Sequence, residues 1–217
     1  MDNKEFIARR VAKEFKDGYF VNLGIGVPTL AGNYVPEGVE VYLHSENGLY
    51  RMGPFPKNES EIDPDLINAS DQFITIVPGT PFFGSDVSFG IVRGGHLNIA
   101  CLGGLQVDSH ANLANWKVPG ATAMGIGGGM DLANAPNTLI IAMEHSSKTG
   151  SRLVKDCTYP LTASGTVDMV ITEKCVLEFK DGKPVVTEMA PGVTEEELRA
   201  CTDMDFTLDP NWKVIEV

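Results

Sequence analysis

The chain has 217 residues, 43% of them apolar and 21% charged, and a net charge of −12. This size and balance suit a single globular domain over residues 1–217 with a sizeable core. An acidic chain is a poor partner for nucleic acid, because phosphate binding needs clustered Lys and Arg, and no run reaches the roughly 18 apolar residues of a membrane span.

The N-terminal segment places Phe6, Ile7, Val11 and Phe15 on one helical face and predicts a first helix over residues 3–17, ended by Gly18. It lacks the apolar stretch of a secretory signal, and Asp2, Glu5 and Glu14 argue against a transit peptide, so a cytoplasmic protein is expected. Residues 19–24 read as a short buried strand. Pro28 suits the first turn of a helix, and residues 39–45 form the next strand. Residues 51–70 hold three prolines and many charges and read as an excursion. Further apolar runs of strand length lie at 73–78, 97–107, 138–143 and 167–179. Residues 86–95 are a helix candidate. So are residues 194–202, where Thr194 and Glu197 form a capping box. Near-continuous apolar strands indicate a sheet covered on both faces. The expected fold is therefore α/β: an open, mainly parallel sheet with helices on both faces and ligands at the carboxyl ends of its strands.

Cys101, Cys157, Cys175 and Cys201 fit neither a zinc site nor a disulfide framework, and reduced structural cysteines are expected. His44, His96 and His110 are scattered without metal-ligand spacing, so no metal is expected, and no nucleophile elbow of the G-x-S-x-G kind exists.

Three stretches remain. In "LHSENGL" (43–49), Glu46 ends a strand, where α/β folds carry chemistry. Asn47-Gly48 is also a common hairpin dipeptide, which would leave Glu46 as an exposed turn residue. In "MGIGGGMDL" (124–132), glycines either bring backbone N–H groups to a ligand or only make a tight turn. Met130 spoils a dinucleotide fingerprint, and no P-loop follows. In "MEHSSK" (143–148), Glu144, His145 and Lys148 follow a strand. Lys148 either meets an anionic ligand or is an ordinary surface lysine, and His145 reads as a structural residue.

Together these stretches resemble family I coenzyme A transferases, whose glutamate signature "LHSENGL" is similar to. The likeness runs collinearly through "VNLGIGVPTLA" (21–31), "VSFGIVRGGHLNIACLGGLQVD" (87–108), "LANWKVPG" (113–120), "GIGGGMDL" (125–132), "EHSSK" (144–148) and "CTYPLT" (157–162). Within the family the chain looks like the β (B) subunit of a 3-oxoacid or acetate/butyrate–acetoacetate CoA-transferase. The resemblance implies that Glu46 is a nucleophile that carries CoA as a glutamyl thioester, with ping-pong kinetics. It implies that the amides of Gly128 and Gly129 face the reacting carbonyl oxygen. Ser45, Asn47 and Gly48 would shape the turn, and Gly24 and Gly26 would allow close packing beside it. CoA thioester is then a substrate rather than a resident cofactor, and a separate A (α) subunit, in an αβ or α2β2 assembly, closes the site. The acid pair stays open among acetoacetate, acetate, butyrate and succinate.

The chain departs from the family pattern in three places. Tyr50 and Arg51 follow Leu49 where small residues are usual, and Gly104 and Gly129 stand where Ala is common. These departures imply a reshaped acyl pocket, with Arg51 contacting substrate or CoA, or else an ion pair from Arg51 to the A subunit. Two rival functions are a CoA thioester hydrolase and a non-catalytic binding protein of the same fold group.

Overall fold

The computed structural model describes residues 1–122 and 125–217. Its helices are α1 (Asn3–Ala12), α2 (Val27–Leu30), α3 (Ser85–Arg93), α4 (Gly129–Asn134) and α5 (Glu195–Ala200). Its strands are β1 (Tyr19–Leu23), β2 (Val41–Ser45), β3 (Leu49–Tyr50), β4 (Ile99–Leu102), β5 (Gln106–Asp108), β6 (Leu113–Ala114) and β7 (Thr138–Ala142). They continue with β8 (Ser146–Ser147), β9 (Gly150–Ser151), β10 (Leu153–Val154), β11 (Met169–Ile171), β12 (Cys175–Lys180), β13 (Lys183–Met189) and β14 (Thr207–Val214).

Nine strands form one sheet in the order β14-β13-β12-β11-β7-β4-β1-β2-β3. Its central run is parallel, from β11 through β7, β4 and β1 to β2. Side chains alternate between two cores, as the pleat requires. In β4, Ile99 and Cys101 pack with Ile7 and Val11 of α1, while Ala100 and Leu102 pack with Val92 of α3, Leu132 of α4 and Leu198 of α5. In β7 the pattern repeats, with Ile140 and Ala142 on the α1 side and Leu139 and Ile141 on the other. Both faces are covered, which is why these strands carry no polar register. β5, β6 and β10 make a separate three-stranded sheet, and β8 and β9 a two-stranded one.

Several elements follow the sequence reading. Pro28 lies in the first turn of α2. Thr194 Oγ1 accepts from Glu197 N at 3.2 Å and Thr194 N donates to Glu197 Oε2 at 2.9 Å, completing the capping box of α5. Other elements differ. α1 stops at Ala12, and the amides of Lys13, Glu14 and Phe15 tighten to carbonyls three residues back. Residues 73–78 form no strand: Phe73 and Ile76 make only isolated bridges, to Ile67 and Met52, and their side chains are exposed. The run 97–107 is two strands of different sheets, parted at Gly103-Gly104. The run 167–179 is folded back into the antiparallel pair β11–β12, with Thr172 Oγ1 accepting from the amides of Lys174 and Cys175 at 3.1 Å each.

All four cysteines are free. Burial pushes the Cys101 thiol up, and those of Cys157 and Cys175 up to about 12, so these three remain unreactive thiols at neutral pH. No helix among the described residues is long and apolar enough to cross a membrane.

Candidate active site

β1 pairs with β2 on one side and β4 on the other. The chain leaves β1 for β2 and later returns to the opposite side as β4, so strand order reverses here. A crevice opens outside the carboxyl ends of strands at such a reversal. Gly24 closes its floor. Its amide donates to the Cys101 carbonyl at 2.8 Å, and a Cβ there would lie 3.2 Å from Leu102 Cδ2. Gly26 acts differently from the expected close packing: open space surrounds it, and its φ of +94° turns the chain into α2.

Glu46 stands beside this crevice at the tip of the β2–β3 hairpin. Ser45 pairs with Leu49, leaving Glu46, Asn47 and Gly48 as the turn. The two readings of "LHSENGL" merge, because the hairpin is the device that presents the carboxylate. Of the three turn residues only Gly48 takes a positive φ, +127°, and a Cβ there would overlap the Phe83 carbonyl oxygen. The excursion after β3 grips each neighbour of Glu46. Ser45 Oγ accepts from Ala69 N at 2.9 Å, Asn47 Nδ2 donates to the Ile67 carbonyl at 2.7 Å, and Phe83 N donates to the Gly48 carbonyl at 2.9 Å.

The half-buried Glu46 accepts through Oε2 from Asn22 Nδ2 at 3.1 Å. Asn22 lies on β1, and the same amide nitrogen faces His44 Nδ1 at 3.1 Å and the His44 carbonyl at 3.3 Å. His44 Nε2 lies 2.8 Å from Ser88 Oγ of α3. Burial pushes His44 down to about 4, so its imidazole is neutral near pH 7. The Asn22 N–H at Nδ1 assigns the ring proton to Nε2, which donates to Ser88 Oγ.

Gly128 reaches the same place from α4. A Cβ there would lie 3.9 Å from Glu46 Cγ, an ordinary contact, but 2.6 Å from the Phe89 ring, so the glycine lets the backbone lie close to Phe89. Gly129 opens α4, and its amide donates to the Ile126 carbonyl at 3.1 Å. Met124, the first residue of the glycine-rich stretch, lies outside the described residues. Glu46 lines a cavity of about 40 Å³ with His44, Ser45, Met52, Phe55 and Asn68 among its walls.

Other expected residues stand elsewhere. Arg51 sits at a φ of +60°, 3.6 Å from Glu40 Oε1 and 5.4 Å above the Tyr42 ring. Glu40 precedes β2 and Glu46 follows it, a separation of roughly 20 Å at 3.3 Å per residue. Arg51 thus has a partner within its own chain. The Arg51→Gly variant is expected to leave acceptor preference unchanged when mono- and dicarboxylic acids are compared. A reversed preference would return Arg51 to the site. Lys148 lies exposed between β8 and β9 and lines a different, open cavity of about 540 Å³ with Glu144, Arg152 and Tyr159. His145 is fully buried between Thr172 Oγ1 at 3.1 Å and Thr202 Oγ1 at 2.9 Å, a structural role. Burial, with Lys174 nearby, pushes it down to about 4. At Gly104 a Cβ would lie 2.7 Å from both Ile141 Cγ2 and Met143 Sδ. The space of the missing methyl is filled there by these two side chains. Among the described residues no group of three or more His, Cys, Asp or Glu is arranged to hold a metal.

Sequence reasoning missed Asn22, His44 and Ser88 as site residues. Asn22 carried a signal, a lone amide inside the apolar strand "YFVNL", because a buried amide needs partners. Ser88 carried none.

The profile of the coenzyme A transferase family matches residues 4–200. The chain belongs to that family. This coenzyme A transferase chain is 49% identical over 207 residues to the acetate CoA-transferase subunit beta of Escherichia coli (strain K12), covering 95% of its own length and 94% of that subunit. It is 46% identical over 213 residues to the mitochondrial succinyl-CoA:3-ketoacid coenzyme A transferase 2A of Rattus norvegicus, covering 97% of its own length but only 41% of the rat enzyme. The chain thus spans less than half the length of its mammalian relative and nearly all of the bacterial subunit. The glutaconate coenzyme A-transferase of Acidaminococcus fermentans shares the fold, with a TM-score of 0.75 at 20% identity over 100% of this chain and 89% of that one.

Proposed function

We propose that the chain is the B subunit of a cytoplasmic CoA-transferase, a single domain that works with a separate A subunit in an αβ or α2β2 assembly. It moves CoA from a short-chain acyl-CoA or 3-oxoacyl-CoA, such as acetoacetyl-CoA, to acetate, butyrate or succinate. The observation that carries this reading is the place of Glu46: a carboxylate on a turn held by the following segment, hydrogen-bonded by Asn22, with Gly128 nearby.

A Glu46 carboxylate oxygen attacks the thioester carbonyl carbon, the C–S bond breaks, and a mixed anhydride and free CoA thiolate form. The thiolate attacks the Glu46 carbonyl carbon, the anhydride C–O bond breaks, and the first acid leaves. Glu46 then holds CoA as a thioester, which an acceptor carboxylate opens by the reverse steps. One thioester is consumed and one is formed, and the anhydride between them keeps the acyl group activated, so the exchange needs no ATP. No general base is needed either, because the nucleophile is already an anion. Each attack builds a negative oxygen, and a backbone N–H aimed at it contributes about 3 kcal/mol. That role is assigned to the amide of Gly128, whose nearness to Glu46 supports it. Gly129 N–H serves only if its bond to Ile126 opens.

The relatives support an A subunit. The bacterial one is named as a subunit, and the rat enzyme has more than half its length outside the match. Ile25, Phe82, Val87 and Met130 are large, exposed apolar residues beside Gly24, the Gly48 clamp, Ser88 and Gly129. That rim suits a covering subunit, which would also keep water from the anhydride.

The test is to co-express the chain with its A subunit and add acetoacetyl-CoA without acceptor. Borohydride then reduces a glutamyl thioester to the alcohol. Peptide mass spectrometry is expected to find a mass loss at Glu46 that depends on acyl-CoA. An unchanged Glu46 in an intact, active complex sinks the covalent route. Steady CoA release without a second acid marks a hydrolase instead.

A further inference from the structure

We propose that His44 and Ser88 are positioning residues for Glu46: Ser88 anchors the His44 ring through Nε2, and His44, accepting at Nδ1, aims the Asn22 carboxamide at the carboxylate. The inference rests on the reading of Glu46 as the nucleophile.

Three acceptors converge on the Asn22 amide nitrogen: Glu46 Oε2, His44 Nδ1 and the His44 carbonyl. The two hydrogens of that nitrogen are fully committed. Asn22 Oδ1, buried on the other side, has no hydrogen-bond partner among the described residues. A buried acceptor left empty is costly, so the surroundings select this amide orientation against an opposing penalty. The opposite orientation would set Oδ1 against the carboxylate and the His44 carbonyl, where lone pairs would face lone pairs.

The imidazole is the variable member. The carboxylate and the backbone carbonyl always accept, but Nδ1 accepts only when the proton is on Nε2. With the proton on Nδ1, two donors would meet at 3.1 Å, and the Asn22 amide would be driven from Glu46. Ser88 Oγ, 2.8 Å from Nε2, accepts from that N–H and anchors the ring; a hydroxyl both donates and accepts, so it is the Asn22 N–H at Nδ1 that sets the tautomer. The ring also packs against Tyr50, with centroids 4.7 Å apart and the rings tilted by 42°. Ser88 is wholly buried and makes no contact with the carboxylate. Its influence on the reaction runs through two side chains on two strands. What the relay supplies is an orientation of the nucleophile before substrate arrives.

The experiment compares wild type, Ser88→Ala, His44→Gln and the double variant in the complex with the A subunit. It follows single-turnover formation of the Glu46 thioester. Ser88→Ala is expected to slow that step about tenfold, with KM for the acyl-CoA nearly unchanged. In the His44→Gln background Ser88→Ala is expected to add nothing, because the ring that Ser88 anchors is gone. Ser88→Cys, of similar size and a weaker acceptor, should fall between, and it carries the test if the alanine variant folds poorly. In parallel, ¹⁵N spectra of histidine-labelled chain should show His44 protonated at Nε2 in wild type, with Nδ1 accepting. A proton on Nδ1 in wild type, a full rate in Ser88→Ala, or additive losses in the double variant would overturn the relay. A wild-type complex with the expected tautomer but no glutamyl thioester would overturn the nucleophile, and the positioning role with it.

Discussion

Glu46→Gln is expected to abolish CoA transfer, lowering kcat by a factor of about 10⁴ or more, the scale seen when a nucleophile is removed. The substitution keeps the side-chain length, and the new amide oxygen still accepts from Asn22 Nδ2 as the carboxylate does at 3.1 Å. Only the nucleophile is lost: an amide oxygen forms no stable anhydride and no thioester. Thermal stability should stay within about 0.5 kcal/mol of wild type, as for a partly exposed residue outside the core. Glu46→Asp separates chemistry from charge. It retains a carboxylate but draws it back by one methylene, and a misplacement of that order costs about a hundredfold. Steady-state rates for both variants, measured beside their melting curves, decide the matter. A Gln variant with a tenth of the wild-type rate would remove Glu46 from the mechanism.

The second large effect is at Gly48. Gly48→Ala must place a Cβ at a φ of +127° and into the Phe83 carbonyl oxygen, which is itself tied through the Phe83 amide to the Gly48 carbonyl at 2.9 Å. Backbone strain and displacement of the excursion together are expected to cost about 3 kcal/mol. For a chain of this size that lowers the melting midpoint by about 6–12 °C. Thioester formation should fall as well, because Glu46 shares the turn. An alanine variant melting with wild type would mean that the turn and the excursion are less tightly joined than these contacts require.

Much of the fold was readable along the chain. β1, β2, the proline-started α2 and the capping box of α5 each rest on residues within a few positions of one another. The readings that failed are those decided by partners far away. Residues 73–78 have the composition of a strand, yet Phe73 and Ile76 face outward on the excursion and find only single bridges. β13 and β14 went unread because both contain a proline and β14 is largely exposed. Glu46 was legible through its signature, and Gly128 through the glycine-rich stretch. Asn22, His44 and Ser88 were not, since their link spans 22 residues from Asn22 to His44 and 44 from His44 to Ser88. Periodicity reports which face a residue takes, not which side chain it meets there. Arg51 shows the converse. It is near Glu46 in sequence, but the hairpin sends it back along β2 toward Glu40.

The grip of the excursion on the turn has a consequence for anyone wishing to borrow this motif. Ser45, Asn47 and Gly48 look like part of a self-contained cassette, but each spends its bonding capacity on Ala69, Ile67 or Phe83. Grafted onto a foreign hairpin, the seven residues would supply a glutamate and a flexible tip. The unit that would have to be transplanted is the hairpin together with the segment that wraps it, and the neighbouring strand that brings Asn22.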